Sequence, residues 1–155
     1  EDECGNTTTC TQLITIDDQI PPQITCPPAV TVECIGDVPP VDITAVTASD
    51  NCGEVTITHI SDVSDNNTCP QVITRTYQAE DECGNTTTCT QLITIDDQIP
   101  PQITCPTDVT VECIGDVPPV DITAVTASDN CGPVTITHIS DVSGITSWAP
   151  VGRRT

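Results

Sequence analysis

The chain has 155 residues, and its 23 Asp and Glu against 3 Lys and Arg give a formal net charge of −20 at pH 7. A surface this acidic repels nucleic acids and anionic membranes, which excludes both as partners, and it attracts divalent cations. The sequence contains no Phe or Met, one Tyr and one Trp, so the core must be built from Val, Ile, Leu and Ala. Such a thin core usually needs cross-links.

Short segments rich in β-branched residues alternate with turn-forming residues along the chain. In chain order the predicted strands are LITI (13–16), QIT (23–25), AVTVEC (29–34), VDITAVTA (41–48), EVTITHI (54–60) and QVITRTYQA (71–79). The turn segments between them include IGDVPP, SDNCG, SDVSDNN and DECGN. No segment shows a 3.6-residue apolar period, so we predict essentially no helix. The pattern predicts an all-β fold of antiparallel β-sandwiches, immunoglobulin-like or fibronectin-III-like.

The sequence repeats itself. EDECGNTTTC begins at position 1 and again at position 80, so the period of the repeat is 80 − 1 = 79. Residues 1–64 match residues 80–143 at all but three positions, which are Pro28/Thr107, Ala29/Asp108 and Glu54/Pro133. This period is too long for a solenoid repeat and suits a small autonomous domain. We therefore predict tandem domains in a row.

The proline-containing segment TIDDQIPPQI, at residues 15–24 and 94–103, reads as a stiff linker between repeats. It divides the chain into the last strand of a preceding repeat (1–16), one complete repeat (17–95) and an incomplete repeat (96–155) with a divergent tail. One explanation, which we prefer, is that the chain is a window of a longer array. The other is donor-strand assembly, in which residues 1–16 of one chain complete the open sandwich of the next.

The chain contains eleven cysteines, of which six fall in the complete repeat. Their spacing is not that of paired CxxC motifs, which argues against zinc. An even number per repeat in a small acidic domain indicates disulfides and an oxidising compartment, and hence an extracellular or cell-surface location.

Local disulfide pairing is the first option. Cys83 and Cys89 flank the loop GNTTT, and a bridge between them would clamp that hairpin. The same logic gives the pairs Cys26–Cys34, Cys52–Cys69, Cys4–Cys10 and Cys105–Cys113. Cys131 is then left unpaired, because Trp148, which we assign no role, occupies the position of Cys69.

Acidic and amide side chains recur in the linkers and turns. Loops after the second and sixth strands of an immunoglobulin-like sandwich lie at one end, near the incoming linker, so their oxygens could converge on Ca²⁺. The candidate ligands are Asp17, Asp18, Asp50, Asn51, Asp81, Glu82 and Asn85, with Asp96, Asp97, Asp129 and Asn130 at later positions. The alternative is that these are ordinary turn residues bonded to nearby backbone. Both interpretations stay open.

Other polar residues carry weaker signals. Asn6, Asn66 and Asn85 each open an N-x-T sequon and are candidate glycosylation sites. His59 and His138 occupy equivalent strand positions and Tyr77 precedes the DECGN loop, so we interpret all three as structural. No nucleophile–base motif is present, so we expect neither an enzyme nor an organic cofactor.

The segments IDDQIPPQITCP, TASDNCG and RTYQAEDECGNTTTC together resemble hyalin (HYR) repeats, in particular the cysteine-richer versions in giant surface adhesins of gliding and other environmental bacteria. The resemblance covers the chain except roughly its last dozen residues. It implies an immunoglobulin-like sandwich with a role in extracellular adhesion or extension. It also implies a second disulfide scheme, with Cys26–Cys89 bonded and Cys34–Cys69 and Cys52–Cys83 as companions. We prefer the local scheme because it leaves fewer cysteines unpaired.

The near-identity of the repeats favours a structural module of a secreted fibre or cell-surface adhesin, because a spacer needs many equal units. Its expected partners are further copies of itself. The alternative is an adhesive module that binds surface glycans or a cell-surface receptor, against which the scarcity of aromatic residues counts.

Overall fold

A computed structural model describes residues 1–142, and the chain divides into two compact units, residues 1–98 and residues 99–155. In the described part the chain is built of β-strands and short 3₁₀ turns, which confirms the all-β prediction. No helix within residues 1–142 has the length and apolar character needed to cross a membrane. Trp148 and the divergent tail lie outside the described residues.

The first unit contains two sheets. Its strands are β1 (Gln23–Thr25), β2 (Val30–Val32), β3 (Thr47–Ser49), β4 (Thr56–Ser64), β5 (Gln71–Glu80) and β6 (Thr86–Ile95). One sheet has the order β2-β6-β5-β4, and the other pairs β1 with β3. β1 also contacts β5 and β6 of the larger sheet. Two 3₁₀ turns, Ile35–Asp37 and Ile43–Ala45, connect β2 to β3.

The long hairpin of β5 and β6 sets the length of this unit. It is antiparallel from Glu80 opposite Thr86 to Gln71 opposite Ile95. Ten residues of β-strand span about 33 Å. The turn at 81–85 therefore marks one end, called here the near end, and the chain after Ile95 marks the far end. β4 pairs antiparallel with β5, whereas β2 pairs parallel with β6 at the far end.

The core of the first unit is small and lies under β5 and β6. Alternate residues of β5 point inward, so Tyr77 and Ala79 are buried, and Ile93 and Ile95 are buried beside them on β6. Val46, which precedes β3, closes the core from the smaller sheet. Because few large side chains contribute, apolar burial alone gives limited stability.

Arg75 is buried on the same face of β5, at 4% exposure. Its Nε and Nη2 atoms donate to the two carboxylate oxygens of Asp62, each at 2.9 Å. Its Nη1 donates to the carbonyls of Pro39 and Pro40 at 3.0 and 3.3 Å. The buried guanidinium thus donates from all three of its nitrogens and ties the loop after the first 3₁₀ turn to the sheet.

The second unit, in its described residues, contains a smaller set of elements. β7 (Gln102–Thr104) pairs antiparallel with β8 (Thr126–Ser128), and 3₁₀ turns occur at Ile114–Asp116 and Ile122–Ala124. Each lies one full period after its counterpart in the first unit, since 102 − 23 = 79. Many apolar side chains of this unit are exposed.

Two strand predictions require correction. Residues 13–16 form no strand, and Leu13, Ile14 and Ile16 are exposed. The predicted strand at 41–48 begins only at Thr47, because the Asp42 side chain accepts the Thr44 N–H and starts a 3₁₀ turn instead. The segments at 23–25 and 71–79 form strands as predicted, and the segment at 54–60 contains a strand that extends to Ser64.

Candidate cation site

Three carboxylates meet at the near end of the first unit. Asp18, Asp50 and Asp81 each offer an oxygen that lies within 4.8 Å of the oxygens of the other two. They come from the incoming linker, the turn after β3 and the turn between β5 and β6. The cluster therefore joins three segments that are far apart in the sequence, and we call it the carboxylate triad.

Asp81 is held by its own turn. Its Oδ1 accepts the N–H groups of Cys83 at 2.9 Å and Asn85 at 2.8 Å, and its Oδ2 accepts the Asn85 side-chain amide at 2.8 Å. The residue is 5% exposed. Burial opposes ionisation, but these hydrogen bonds outweigh it and keep the pKa of Asp81 below its ordinary value. Asp81 is therefore an anion at neutral pH.

Asp18 fastens the linker to both turns. Its main-chain carbonyl accepts the Asn85 side-chain amide at 2.9 Å. Its carboxylate accepts the Ile20 N–H at 3.1 Å and lies 3.3 and 3.4 Å from the Asn51 side-chain amide. The half-buried Asp18 is thus held in place by residues of both turns without the help of an ion.

Asp50 supplies the observation that points to a ligand. Its Oδ2 accepts the Cys52 N–H at 2.9 Å. Its Oδ1 is buried and has no hydrogen-bond partner. A buried carboxylate oxygen without a donor is strongly disfavoured. A cation bound between the three carboxylates would satisfy this atom, so the residues present fit a metal ion.

The charge balance also favours a cation. Of the three basic side chains in the sequence, Arg153 and Arg154 lie beyond residue 142 and Arg75 is bound to Asp62. No Lys or Arg in residues 1–142 is therefore left to neutralise the triad. The donors are all carboxylate oxygens, which suits a hard cation such as Ca²⁺ better than zinc or copper. Linker and turns would then be joined through one ion.

The other predicted ligands are arranged around the triad or away from it. Asn51 and Asn85 act as amide donors to it. Asp17 is exposed and accepts from Gln19, and the Glu82 side chain lies against Gly53. Asp96 and Asp97 follow β6 at the far end of the first unit, and Asp129 and Asn130 follow β8 in the second unit.

The disulfide in the first unit follows the second scheme and not the local one. Cys26 and Cys89 are bonded, with their Cα atoms 5.8 Å apart. The predicted pairs Cys26–Cys34 and Cys83–Cys89 are therefore wrong. Residues 86–89 are extended within β6 and span about 10 Å, which carries Cys89 away from the turn that holds Cys83 and towards β1.

The remaining local pairs are also wrong. Cys52 lies in the near-end turn, whereas Cys69 lies at the far end, with its thiol 3.5 Å from Asp96 Oδ1. The two are separated by the length of the long hairpin, which no disulfide can span. The cysteines that are free and exposed are Cys4, Cys10, Cys52, Cys69, Cys83, Cys105 and Cys113. Two companions of the second scheme, Cys34–Cys69 and Cys52–Cys83, are therefore not formed either.

The local scheme leaves Cys131 unpaired, whereas in the structure this residue is disulfide-bonded. The prediction failed because it rested on the local scheme. The presence of disulfides indicates an oxidising environment.

The predicted glycosylation sites differ in their surroundings. Asn6 and Asn66 are exposed, and Asn66 adopts a positive φ of 60°. Asn85 is half-buried, and its side-chain nitrogen donates to both Asp18 and Asp81. A sugar on Asn85 would disrupt the triad, so Asn6 and Asn66 remain the better candidates.

Both histidines contact an aspartate three residues further along. His59 and His138 each place Nε2 2.9 Å from the carboxylate of Asp62 and Asp141 respectively. The His59 ring also packs edge-on against Tyr77, with the ring centroids 5.9 Å apart. These contacts are consistent with the structural roles predicted for His59 and Tyr77.

Comparison with known proteins gives no match for this chain: no protein family, no curated protein and no solved structure is detectably similar to it.

Proposed function

We propose that the chain is a non-catalytic structural module of a secreted extracellular fibre or cell-surface adhesin, built from HYR-like, immunoglobulin-like sandwich repeats with a period of 79. Ca²⁺ bound by the carboxylate triad stiffens the connection between the linker and the sandwich. The observation that carries the proposal is the buried, unpartnered Oδ1 of Asp50, whose carboxylate group lies close to those of Asp18 and Asp81.

The position of the triad explains why a cation would serve a fibre. Asp18 belongs to the linker, whereas Asp50 and Asp81 belong to turns of the folded unit. An ion held by all three fixes the direction in which the chain enters the sandwich. Without it, repulsion between three anions would loosen the linker. In a tandem array of such units, Ca²⁺ binding would then make the linkers rigid and so stiffen the whole array.

Thermal unfolding of the full chain with Ca²⁺ or with a chelator tests this proposal. Calcium at a hundred times its dissociation constant adds about 2.7 kcal/mol to the free energy of unfolding. For a unit of this size the expected rise in Tm is roughly 10–20 °C. In the variant Asp50→Asn the rise with Ca²⁺ should disappear. Its Tm in chelator should exceed that of the parent, because one of three repelling charges has gone.

Asp65→Asn is the matched control. Asp65 caps the β4–β5 turn much as Asp81 caps the β5–β6 turn: it accepts the Val72 and Asn67 N–H groups and the Asn67 side-chain amide. It is not one of the three residues of the carboxylate triad. The control should therefore keep its full response to Ca²⁺. Equal melting temperatures of the parent with Ca²⁺ and with chelator would remove the cation from the proposal.

A further inference from the structure

The larger sheet of the first unit has an outer face that points away from the core and is formed by alternate residues of β4, β5 and β6. On β6, Thr88, Thr90 and Leu92 are exposed, whereas Gln91 and Ile93 are buried. β4 and β5 continue this face, because their residues pair in register with those of β6. All of its residues lie within the complete repeat, residues 17–95, so the outer face is a feature of one folded unit.

The outer face carries very little charge. Residues 17–95 contain twelve Asp and Glu, and of these only Glu80, at the near end of β5, lies on this face. Asp62 belongs to β4, but it points to the other side of the sheet, where it binds Arg75. Threonines cover the outer face instead, two on β4, two on β5 and four on β6. Because copies of an acidic chain repel each other, a second copy can approach closely only where charge is absent.

The outer face is also chemically symmetric about its central strand, β5. In the register of the sheet, similar residues of β4 and β6 stand on either side of a β5 threonine: Ser61 and Thr90 beside Thr76, and Val63 and Leu92 beside Thr74. A rotation of 180° about an axis parallel to β5 exchanges the positions of β4 and β6. Two copies related by such an axis therefore place hydroxyl groups against hydroxyl groups and apolar side chains against apolar side chains.

We propose that the outer face of one copy packs against the outer face of a second copy, with the two sheets related by a two-fold axis parallel to β5. Val63 of each copy then contacts Leu92 of the other. These side chains are 59% and 47% exposed in the single chain, and the contact would bury both. A two-fold interface requires a self-complementary surface, and the symmetry of the outer face about β5 provides one. Sheets packed in this way lie about 10 Å apart with their strands about 30° from parallel.

The single charge on the outer face lies away from the centre of the contact. Glu80 is about 13 Å along β5 from Thr76, which is near the middle of the face. Because the two sheets cross at about 30°, their central strands diverge towards the ends. The Glu80 side chains of the two copies are thus kept apart, and their repulsion weakens the pairing without preventing it.

The area of the outer face determines how strong the pairing can be. Three strands of this length cover about 14 Å by 33 Å, or roughly 500 Å² per copy. Two copies together bury about 1,000 Å², the lower limit for a specific interface, so single faces pair weakly and reversibly. In a tandem array several faces would pair at once, and avidity would hold two arrays side by side. This last step rests on the proposed function and deepens it, because it names the partner that lies beside the fibre.

Sedimentation equilibrium of the full chain at concentrations up to about 1 mM tests the pairing. The buffer contains a chelator and physiological salt, so that neither Ca²⁺ nor long-range repulsion decides the result. We expect a reversible equilibrium between monomer and dimer. Val63→Glu and Leu92→Lys should each lower the association constant about tenfold, because each variant places a charge against an apolar side chain of the other copy.

An equal mixture of these two variants should recover the association as a heterodimer. The introduced carboxylate and ammonium then meet across one Val63–Leu92 contact, while the other contact stays apolar. Ile35→Glu is the matched control, since Ile35 has a similar exposure of 58% but lies outside the outer face, and it should associate as the parent does. Glu80→Gln should raise the association constant, whereas Asp17→Asn, which removes an exposed charge from the linker, should leave it unchanged.

A chain that stays monomeric at about 1 mM would overturn the proposal, and so would a mixture that associates no better than its separate components. The near-UV circular dichroism of the buried Tyr77 checks that each variant keeps its sheet. Retention on a column of the neutral glucan dextran by the parent, but not by Val63→Glu, would assign the outer face to a glycan and also overturn the proposal. The shift of Tm with Ca²⁺ in Val63→Glu, measured separately, shows whether the proposed function stands when the pairing fails.

Discussion

Removal of the Cys26–Cys89 disulfide should strongly lower the free energy of unfolding of the first unit. The bond closes a loop with a sequence separation of 63. In the chain-entropy relation, a loop of this length restricts the unfolded chain by about 14 cal/mol/K, or about 4 kcal/mol at 25 °C. A unit of this size has a total stability of roughly 4–12 kcal/mol. The loss therefore removes a third or more of the stability, and we expect Tm to fall by roughly 15–30 °C.

The double variant Cys26→Ala/Cys89→Ala tests this value in the full chain. The unfolding signal is the near-UV circular dichroism of Tyr77, the sole tyrosine, which is a buried residue of β5. Cys52→Ala/Cys83→Ala is the control, because it removes two exposed free thiols and should change Tm by no more than a few degrees. A fall in Tm no larger than that of the control would refute the reasoning.

Two further predictions concern single side chains. The pKa of Asp62 lies below its ordinary value, because Arg75 donates to it and outweighs the effect of burial, with a smaller contribution from His59. The stability it adds is therefore fully present above the ordinary aspartate pKa of about 3.9 and is lost as pH falls through the lower folded-state value. Asp62→Asn should flatten that acid dependence of Tm; an unchanged slope would contradict the role of the pair. Gly53 has φ of +96°, and an added Cβ would lie 3.0 Å from Glu82 Oε2, so Gly53→Ala should cost about 1–2 kcal/mol in urea unfolding. Gly36→Ala, where an added Cβ has open space, should be neutral, and equal losses in both would contradict the argument.

The alternation of apolar and polar residues along the sequence predicted those strands in which every second side chain faces the core. The segment 71–79 alternates residues that face the core with residues that do not, and it forms β5. The convergence of Asp18, Asp50 and Asp81 also followed from the expectation that these loops lie at one end of a sandwich. Both inferences need only the period of a strand and the order of the loops.

Features that depend on three-dimensional partners were not predictable in this way. Residues 13–16 have the same sequence as residues 92–95, yet only the latter lie in a strand, because only they have β2 and β5 beside them. The local disulfide scheme failed for a similar reason. Cysteines that are close in sequence are far apart in space when the chain between them forms an extended strand. No pattern in the sequence predicted the hydrogen bonds that Arg75 donates to Asp62 and to the carbonyl of Pro39.

The Cys26–Cys89 bond also determines how the module would respond to tension. In the proposed fibre, a pulling force would enter the first unit before β1 and leave it after β6, so the load would pass through the bond. The chain between Cys26 and Cys89 is then shielded from the pull. The repeat has a period of 79 residues, and the bonded cysteines have a sequence separation of 63. The part of each repeat that force can extend is therefore 79 − 63 = 16 residues. The fully extended chain that each unit can release is therefore about 55 Å long, against roughly 270 Å for a repeat without the bond. Each repeat would therefore act as a short, self-limiting extensible link.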